Sequence, residues 1–287
     1  MKRCIVPFLS ICLMLVILSL GKVFFFQQVN AESDTSQKLG DAELKKQKIL
    51  VLIIASDDQP VYLELQKIWR SYMHLDKEHV EAYFLKANPD LASTSEISGD
   101  IIWAKTPLGL YPGIIQTTLL SMETMLPRLK EFDYVVRTNL SSFYVFSRLF
   151  TFLDTLPKTK CYSAHIDGDP RFFVTTWGCG AGIILSPDLV EMLVSNKPAL
   201  LNSNYINLAN DDLIIAEFFR NRQIKLLSAP RTDILIKEIW EQRKDMIPSD
   251  AFHFRVKNPH VDLRLTDDIY VHKELLKMFY PQAAKLE

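Results

Sequence analysis

Three observations predict an α/β layer structure with a mainly parallel central sheet flanked by helices. Apolar runs of strand length alternate with segments of helical spacing along most of the chain. The run "KILVLIIAS" at 48–56 is continuously apolar rather than polar on every second residue, as in a strand buried on both faces. Helix-start chemistry falls between such runs, most plainly at Ser186-Pro187.

In order, "KILVLIIAS" is the first strand. "PVYLELQKIWRSYMHL" follows as a helix, with Leu63, Ile68 and Tyr72 on one stripe and Trp69 beside it. "VEAYFLKA" and the shorter "GDIIWAK" are the second and third strands. "GIIQTTLLSMETMLPRLKEF" is a helix with a bend or boundary near Pro127, and "DYVVRT" is the fourth strand. "SRLFTFLDTL" is a helix; "KCYSAHID" and "FFVTTWG" (172–178) are strands. "GAGIILSPDLVEMLVSN" holds a short strand and a helix, "DDLIIAEFFRNRQ" is a helix and "IKLLSAP" a strand. From about Thr232 the pattern is mixed. In such sheets ligands sit beyond the carboxyl ends of the strands, so the turn after "DYVVRT" falls at a functional end.

With 287 residues, 48% hydrophobic and 23% charged, the chain can bury a sizeable core. Its formal charge of −1 gives no sign of bulk nucleic-acid binding. Residues 1–31 read as a signal peptide or signal anchor: a basic "MKR" start, a long apolar stretch, and Val29 and Ala31 before Glu32 as a possible cleavage site. Either form sends the chain into a secretory route, membrane-anchored if uncleaved and exported if cleaved. Residues 32–47 are polar and aperiodic, a stalk or linker, and the globular domain is expected over 48–287. Outside the leader remain Cys161 and Cys179, which either pair or stay as two buried thiols.

Several residues have chemistry suited to moving a sugar from a nucleotide donor, which needs cationic stabilisation of a diphosphate, a base for the acceptor hydroxyl, and close backbone approach. Gly178, Gly180, Ala181 and Gly182 form a small-residue cluster, which serves either a ligand or a tight place in a sheet. Asp211 and Asp212 open a helix after Asn210; either Asn210 or Asp211 caps it, acids being favoured there, or the paired carboxylates supply a base. Asp167-Gly168-Asp169 has the spacing of a metal-binding pair, but Asp-Gly is also a hairpin turn, the simpler reading. His253 lies among aromatics, with Arg255 and Lys257 following as cations suited to a diphosphate. Asn139-Leu140-Ser141 is formally a glycosylation sequon, but a short turn after a buried strand is a poor acceptor.

Taken in order, these segments resemble the Fringe-like and beta-1,3-galactosyltransferase group of glycosyltransferases, over roughly Lys48 to His260. "PVYLELQKIW" is similar to the group's early helix ending in Trp, and "GDIIWAKTPLGLYPGIIQTTL" to its "GDII…Y…LT…KT", with Thr117 in place of Lys. "DYVVRTNLSSF" resembles "DYVLKTDDDVF", "WGCGAGIILSPDLV" resembles "YCSGGGYVLSRDLV", and "NDDLIIAEFF" resembles the "EDVYIG" segment. "FHFRVKN" lies where the group often has a late His. The resemblance implies a GT-A fold and inverting transfer of a hexose from a nucleotide-sugar to a glycan or glycoprotein hydroxyl. It implies Asp212 as base, Gly180 to Gly182 bordering the sugars with Asp211 nearby, and His253 completing a metal shell.

The departure falls on the metal. Asn139, Leu140 and Ser141 stand where the group has three acids, while Arg137 before them keeps its basic type. A hard divalent cation such as Mn²⁺ prefers carboxylates, so metal dependence is expected to be weak. Arg255, Lys257 and Arg231 are the cations available to replace it; otherwise Asp167, Asp169 and His253 are the next ligand set. The alternatives to an active enzyme are a catalytically silent relative that binds a sugar, nucleotide or partner, and an unrelated Rossmann-like protein. The absence of G-x-G-x-x-G after the first strand counts against the last.

Overall fold

The structure, a computed structural model, describes residues 47–169, 175–203, 206 and 210–285. The N-terminal apolar segment and the linker up to residue 46 lie outside these, as do residues 172–174 of one expected strand. Gln47, the linker's last residue, is buried and donates from Nε2 to Asp154 Oδ1 at 2.5 Å. Among the described residues, no helix is long and apolar enough to cross a membrane.

The central sheet begins with β1 (Ile49–Ile54), β2 (Val80–Ala87), β3 (Ser95–Ser98), β4 (Ile101–Ala104) and β5 (Tyr134–Asn139). It is completed by β7 (Tyr162–Gly168), β8 (Thr176–Leu185) and β9 (Leu226–Ser228), in the order β3-β4-β2-β1-β5-β8-β7-β9. β4, β2, β1 and β5 run parallel side by side; β8 is antiparallel to both its neighbours, and β3 is an antiparallel edge. A smaller sheet joins β6 (Ser142–Tyr144), β10 (Thr232–Ile234) and β11 (His253–Val256), in the order β10-β11-β6.

The continuous apolar strands bury both faces, as the composition of β1 requires. Ile49, Val51 and Ile53 point into one core with α1 (Pro60–Tyr72), α3 (Phe146–Leu153) and α8 (Arg264–Phe279). Leu50 and Leu52 point into the other, with α2 (Gly113–Met125), α4 (Pro187–Ser195) and α6 (Asp211–Arg220). The helix expected through residue 132 ends at Met125. A 3₁₀ segment, Leu126–Glu131, takes over at Pro127, which has no N–H to continue the α ladder. Of the two readings for the cysteines, the buried thiols hold: Cys161 and Cys179 are both free, and burial pushes the Cys161 thiol up to about 12.

The short turn 139–141 carries the chain from the large sheet into the small one. It is pinned from both sides. Trp69 Nε1 on α1 donates to Leu140 O at 3.3 Å, and Val256 N beyond it on β11 donates to Ser141 O at 2.7 Å. Leu140 itself is buried. A turn that must join two sheets at a fixed angle has little freedom, so its backbone is kept whatever its side chains do.

Candidate active site

A cavity of about 640 Å³ opens at the carboxyl ends of β1, β2, β4 and β5, where an α/β sheet binds its ligands. Its walls come from Ala55–Asp58 after β1, from Lys86 and Trp103, from the 108–114 loop and helix start, and from Asn139–Ser141. Lys257 and Arg264 close the side nearest the small sheet. Asn139 thus lies where the spacing of "DYVVRT" puts it, at the end of a central strand and facing a cleft.

The turn satisfies itself. Asn139 Oδ1 accepts from Ser141 N at 3.2 Å and from Ser141 Oγ at 2.7 Å. One neutral oxygen is already used twice, and Leu140 offers no side-chain donor atom. This set does not fit a divalent cation. Nor do His253, Asp167 and Asp169 assemble as a replacement: among the described residues, no three His, Cys, Asp or Glu stand together to hold a metal. Asp167 sits on β7 opposite Trp177, and His253 belongs to the other sheet. The Asp-Gly pair is not the hairpin turn either, because Asp167 and Gly168 are still laddered to Trp177 and Thr176.

A second group surrounds β8. Arg137 is buried, pairs through Nη2 with Asp211 Oδ2 at 2.5 Å, and donates from Nη1 to the Gly180 carbonyl. Its guanidinium therefore holds the helix start to the glycine strand. Asp211 is not the cap; Asn210 occupies that position, and its Oδ1 accepts from Tyr111 Oη at 2.7 Å. Asp212 Oδ2 accepts from Gly180 N at 2.8 Å and Oδ1 from Leu213 N at 2.9 Å. Burial and then the Asp211 charge raise its pKa to about 6, against which these hydrogen bonds and Arg137 only partly act. Asp212 is thus a carboxylate poised near neutrality beside a partner fixed in an ion pair.

The glycines answer to packing on their side-chain face. A Cβ on Gly180 would stand 2.8 Å from Arg137 Nη1 and 3.1 Å from Asp212 Oδ2; one on Gly182 would stand 2.5 Å from His253 Cε1. The space the sequence reserves at these two positions is taken by protein side chains, not left open for a sugar. Ala181 is buried, and its carbonyl accepts from Thr138 Oγ1 at 2.5 Å and Ser142 Oγ at 2.7 Å. His253 is buried, stacks on Tyr144 with centroids 4.5 Å apart, and meets Ser142 Oγ through Nε2 at 3.1 Å. Burial, and next the Arg231 charge, hold its imidazole neutral, well below the usual histidine range.

Sequence reasoning missed Asp57 and Lys86. Lys86 Nζ lies 2.6 Å from Asp57 Oδ1 and 5.7 Å from the centre of the Trp103 ring, within the cavity wall. Partial burial raises the Asp57 pKa, but hydrogen bonds from Lys86 and Gln66 outweigh it and hold the carboxyl below its usual range. The signals were a lysine inside an apolar strand and an Asp pair at the carboxyl end of the first one.

No protein-family model matches the chain, and no curated protein matches it. Among solved structures it is similar to the crystal structure of a glycosyltransferase involved in the glycosylation of the major capsid of PBCV-1. The identity is 9% and the TM-score 0.51, over 79% of this chain and 99% of that one. At that identity the likeness speaks for architecture alone: the chain has a glycosyltransferase fold of the GT-A kind.

Proposed function

We propose that the protein transfers a hexose from a nucleotide-sugar donor to a hydroxyl of a glycan or glycoconjugate, with inversion, as a relative of the Fringe-like and beta-1,3-galactosyltransferase group. The observation that carries this reading is the position of the 139–141 turn in the wall of the cleft at the strand carboxyl ends, where the resemblance puts the donor diphosphate. The donor occupies that cleft. Asp212 takes the proton of the acceptor hydroxyl; a pKa raised to about 6 by burial leaves it ionised at neutral pH yet basic enough to accept a proton. Arg137 and Asp211 position it rather than touch the donor. The turn's neutral, internally bonded side chains support weak dependence on Mn²⁺. The apolar N-terminal segment supports a secretory route for the enzyme, held at a membrane if the segment is uncleaved.

One observation favours a second reading, a silent sugar- or nucleotide-binding or partner protein: the glycine gaps are filled by Arg137, Asp212, Tyr144 and His253. A screen of nucleotide-sugars for hydrolysis and transfer, on the full chain with and without Mn²⁺, separates the two. Turnover of any donor supports the enzyme; binding without turnover supports the silent relative.

A further inference from the structure

The small sheet carries cations that nothing in the described protein neutralises. In a strand, alternate residues share a face. Phe254 and Val256 on β11 enter the core, so His253, Arg255 and, one step past the strand, Lys257 share the other face. Lys257 keeps the strand's course by donating its N–H to Ile234 O at 3.2 Å. The register sets Asp233 opposite Arg255, but Arg231 holds that carboxylate, Nε to Oδ1 at 2.7 Å and Nη2 to Oδ2 at 2.8 Å. Arg255 Nε and Arg231 Nη1 are buried with no hydrogen-bond partner among the described residues. Of these cations Lys257 lines the cavity; Arg264, which lines it too, is spent on Asp268 at 2.8 Å.

A buried guanidinium N–H without an acceptor is costly, as is bringing like charges together. The site does both: Arg255 and Arg264 depress the Lys257 ammonium after its own partial burial. The cost is borne beside a cleft whose turn has no acids, so there is no cation-binding motif for an incoming anion to meet. β11 is hydrogen-bonded next to that turn, with Arg255 opposite Ser142.

We propose that the face formed by Arg255 and Lys257, flanked by Arg231, binds a diphosphate group directly, without a divalent cation. The proposal rests on the nucleotide-sugar reading and supplies its anion site. Arg255 and Lys257 are two residues apart on one face, roughly 6.7 Å at Cα, close enough for two long cationic side chains to converge on one diphosphate. Arg255 brings a planar fork and Lys257 a point charge.

The test is calorimetric titration of the full chain with inorganic pyrophosphate in EDTA, repeated with orthophosphate. Pyrophosphate is expected to bind in EDTA, more tightly than orthophosphate, and more weakly as salt rises. Arg255→Gln and Lys257→Gln should each weaken Kd about tenfold or more. Lys257 is only partly covered by the protein, so its variant reads the charge with the fold intact. Binding only on addition of Mn²⁺ or Mg²⁺, no binding, equal binding of orthophosphate, or Kd values unmoved by both substitutions would each overturn the proposal. Pyrophosphate binding in EDTA with no nucleotide-sugar turned over keeps the anion site and removes the transfer reading. Turnover that requires Mn²⁺, with no pyrophosphate binding in EDTA, keeps the transfer reading and removes the anion site.

Discussion

At two places the chain sets neighbouring polar residues at the end of an element, in the cleft wall at 139–141 and buried against β8 at 211–212, and it treats them in opposite ways. At 139–141 the polar atoms satisfy one another: Asn139 Oδ1 is used twice by Ser141, and the residue between them is apolar and buried. At 211–212 the two carboxylates divide. Asp211 is spent on Arg137, whereas Asp212 meets only backbone N–H groups and has its pKa raised to about 6. The lesson is that capacity for chemistry follows from what remains unspent. A turn in the place of a metal motif has spent its Asn139 oxygen on Ser141, and one member of an acid pair is left without a cation because the other has taken Arg137.

The sharpest way to break this contrast is Asp212→Asn. If Asp212 is the base, donor turnover should fall about 10²–10⁴-fold. Stability should move the other way with pH. A carboxyl whose folded pKa is raised keeps a proton that the unfolded chain releases, so folding stability is lost as pH rises from about 4 through about 6. That loss is about 1.4 kcal/mol for each unit of the shift. Denaturant unfolding at pH 4 and pH 7 should show this slope in the wild type and a smaller one in the variant. An Asn variant with full turnover moves the base elsewhere.

Asp211→Asn tests the other member. A simple cap would cost about 1 kcal/mol, but removing the acid from a buried pair strands the Arg137 guanidinium, and about 3–5 kcal/mol should be lost. A cost near the lower figure would mean that the pair does not hold the helix start. Gly182→Ala should cost about 1–3 kcal/mol through overpacking against His253 and Tyr144; an unchanged melting curve would mean that the gap is open after all. The smallest effect concerns the turn. Restoring acids with Asn139→Asp and Ser141→Asp should raise Mn²⁺ affinity by about tenfold or more, and equal affinity by titration would show that the turn's chemistry does not govern metal binding.

Much of this contrast was legible in the sequence, for particular reasons. β1 is a continuous apolar run, and such a run fixes both the strand and its burial on two faces; β2 and β5 are apolar stretches of strand length interrupted by Glu81, Lys86 and Arg137. Asn139 at the cleft followed from the strand before it and the rule for carboxyl ends. The partnership of Arg137 with Asp211 was not legible, because it joins distant segments only after β8 has been inserted beside β5. The small sheet was missed because β6 and β10 have three residues each, too short for a periodic signal. β11 did carry one: Phe254 and Val256 alternate with His253, Arg255 and Lys257, the pattern of a strand with one buried face. The glycines allow either room for a ligand or a tight place in a sheet on sequence alone; the neighbours that fill the space at Gly180 and Gly182 are distant in sequence.

The most direct measurement is donor turnover by the full chain, across a panel of nucleotide-sugars, in EDTA and from pH 5 to 8. The account predicts that at least one donor is consumed, that most of the rate survives EDTA, and that the rate falls on the acid side with an apparent pKa of about 6 as Asp212 takes up its proton. No turnover of any donor, or a rate abolished by EDTA and restored by micromolar Mn²⁺, would contradict it.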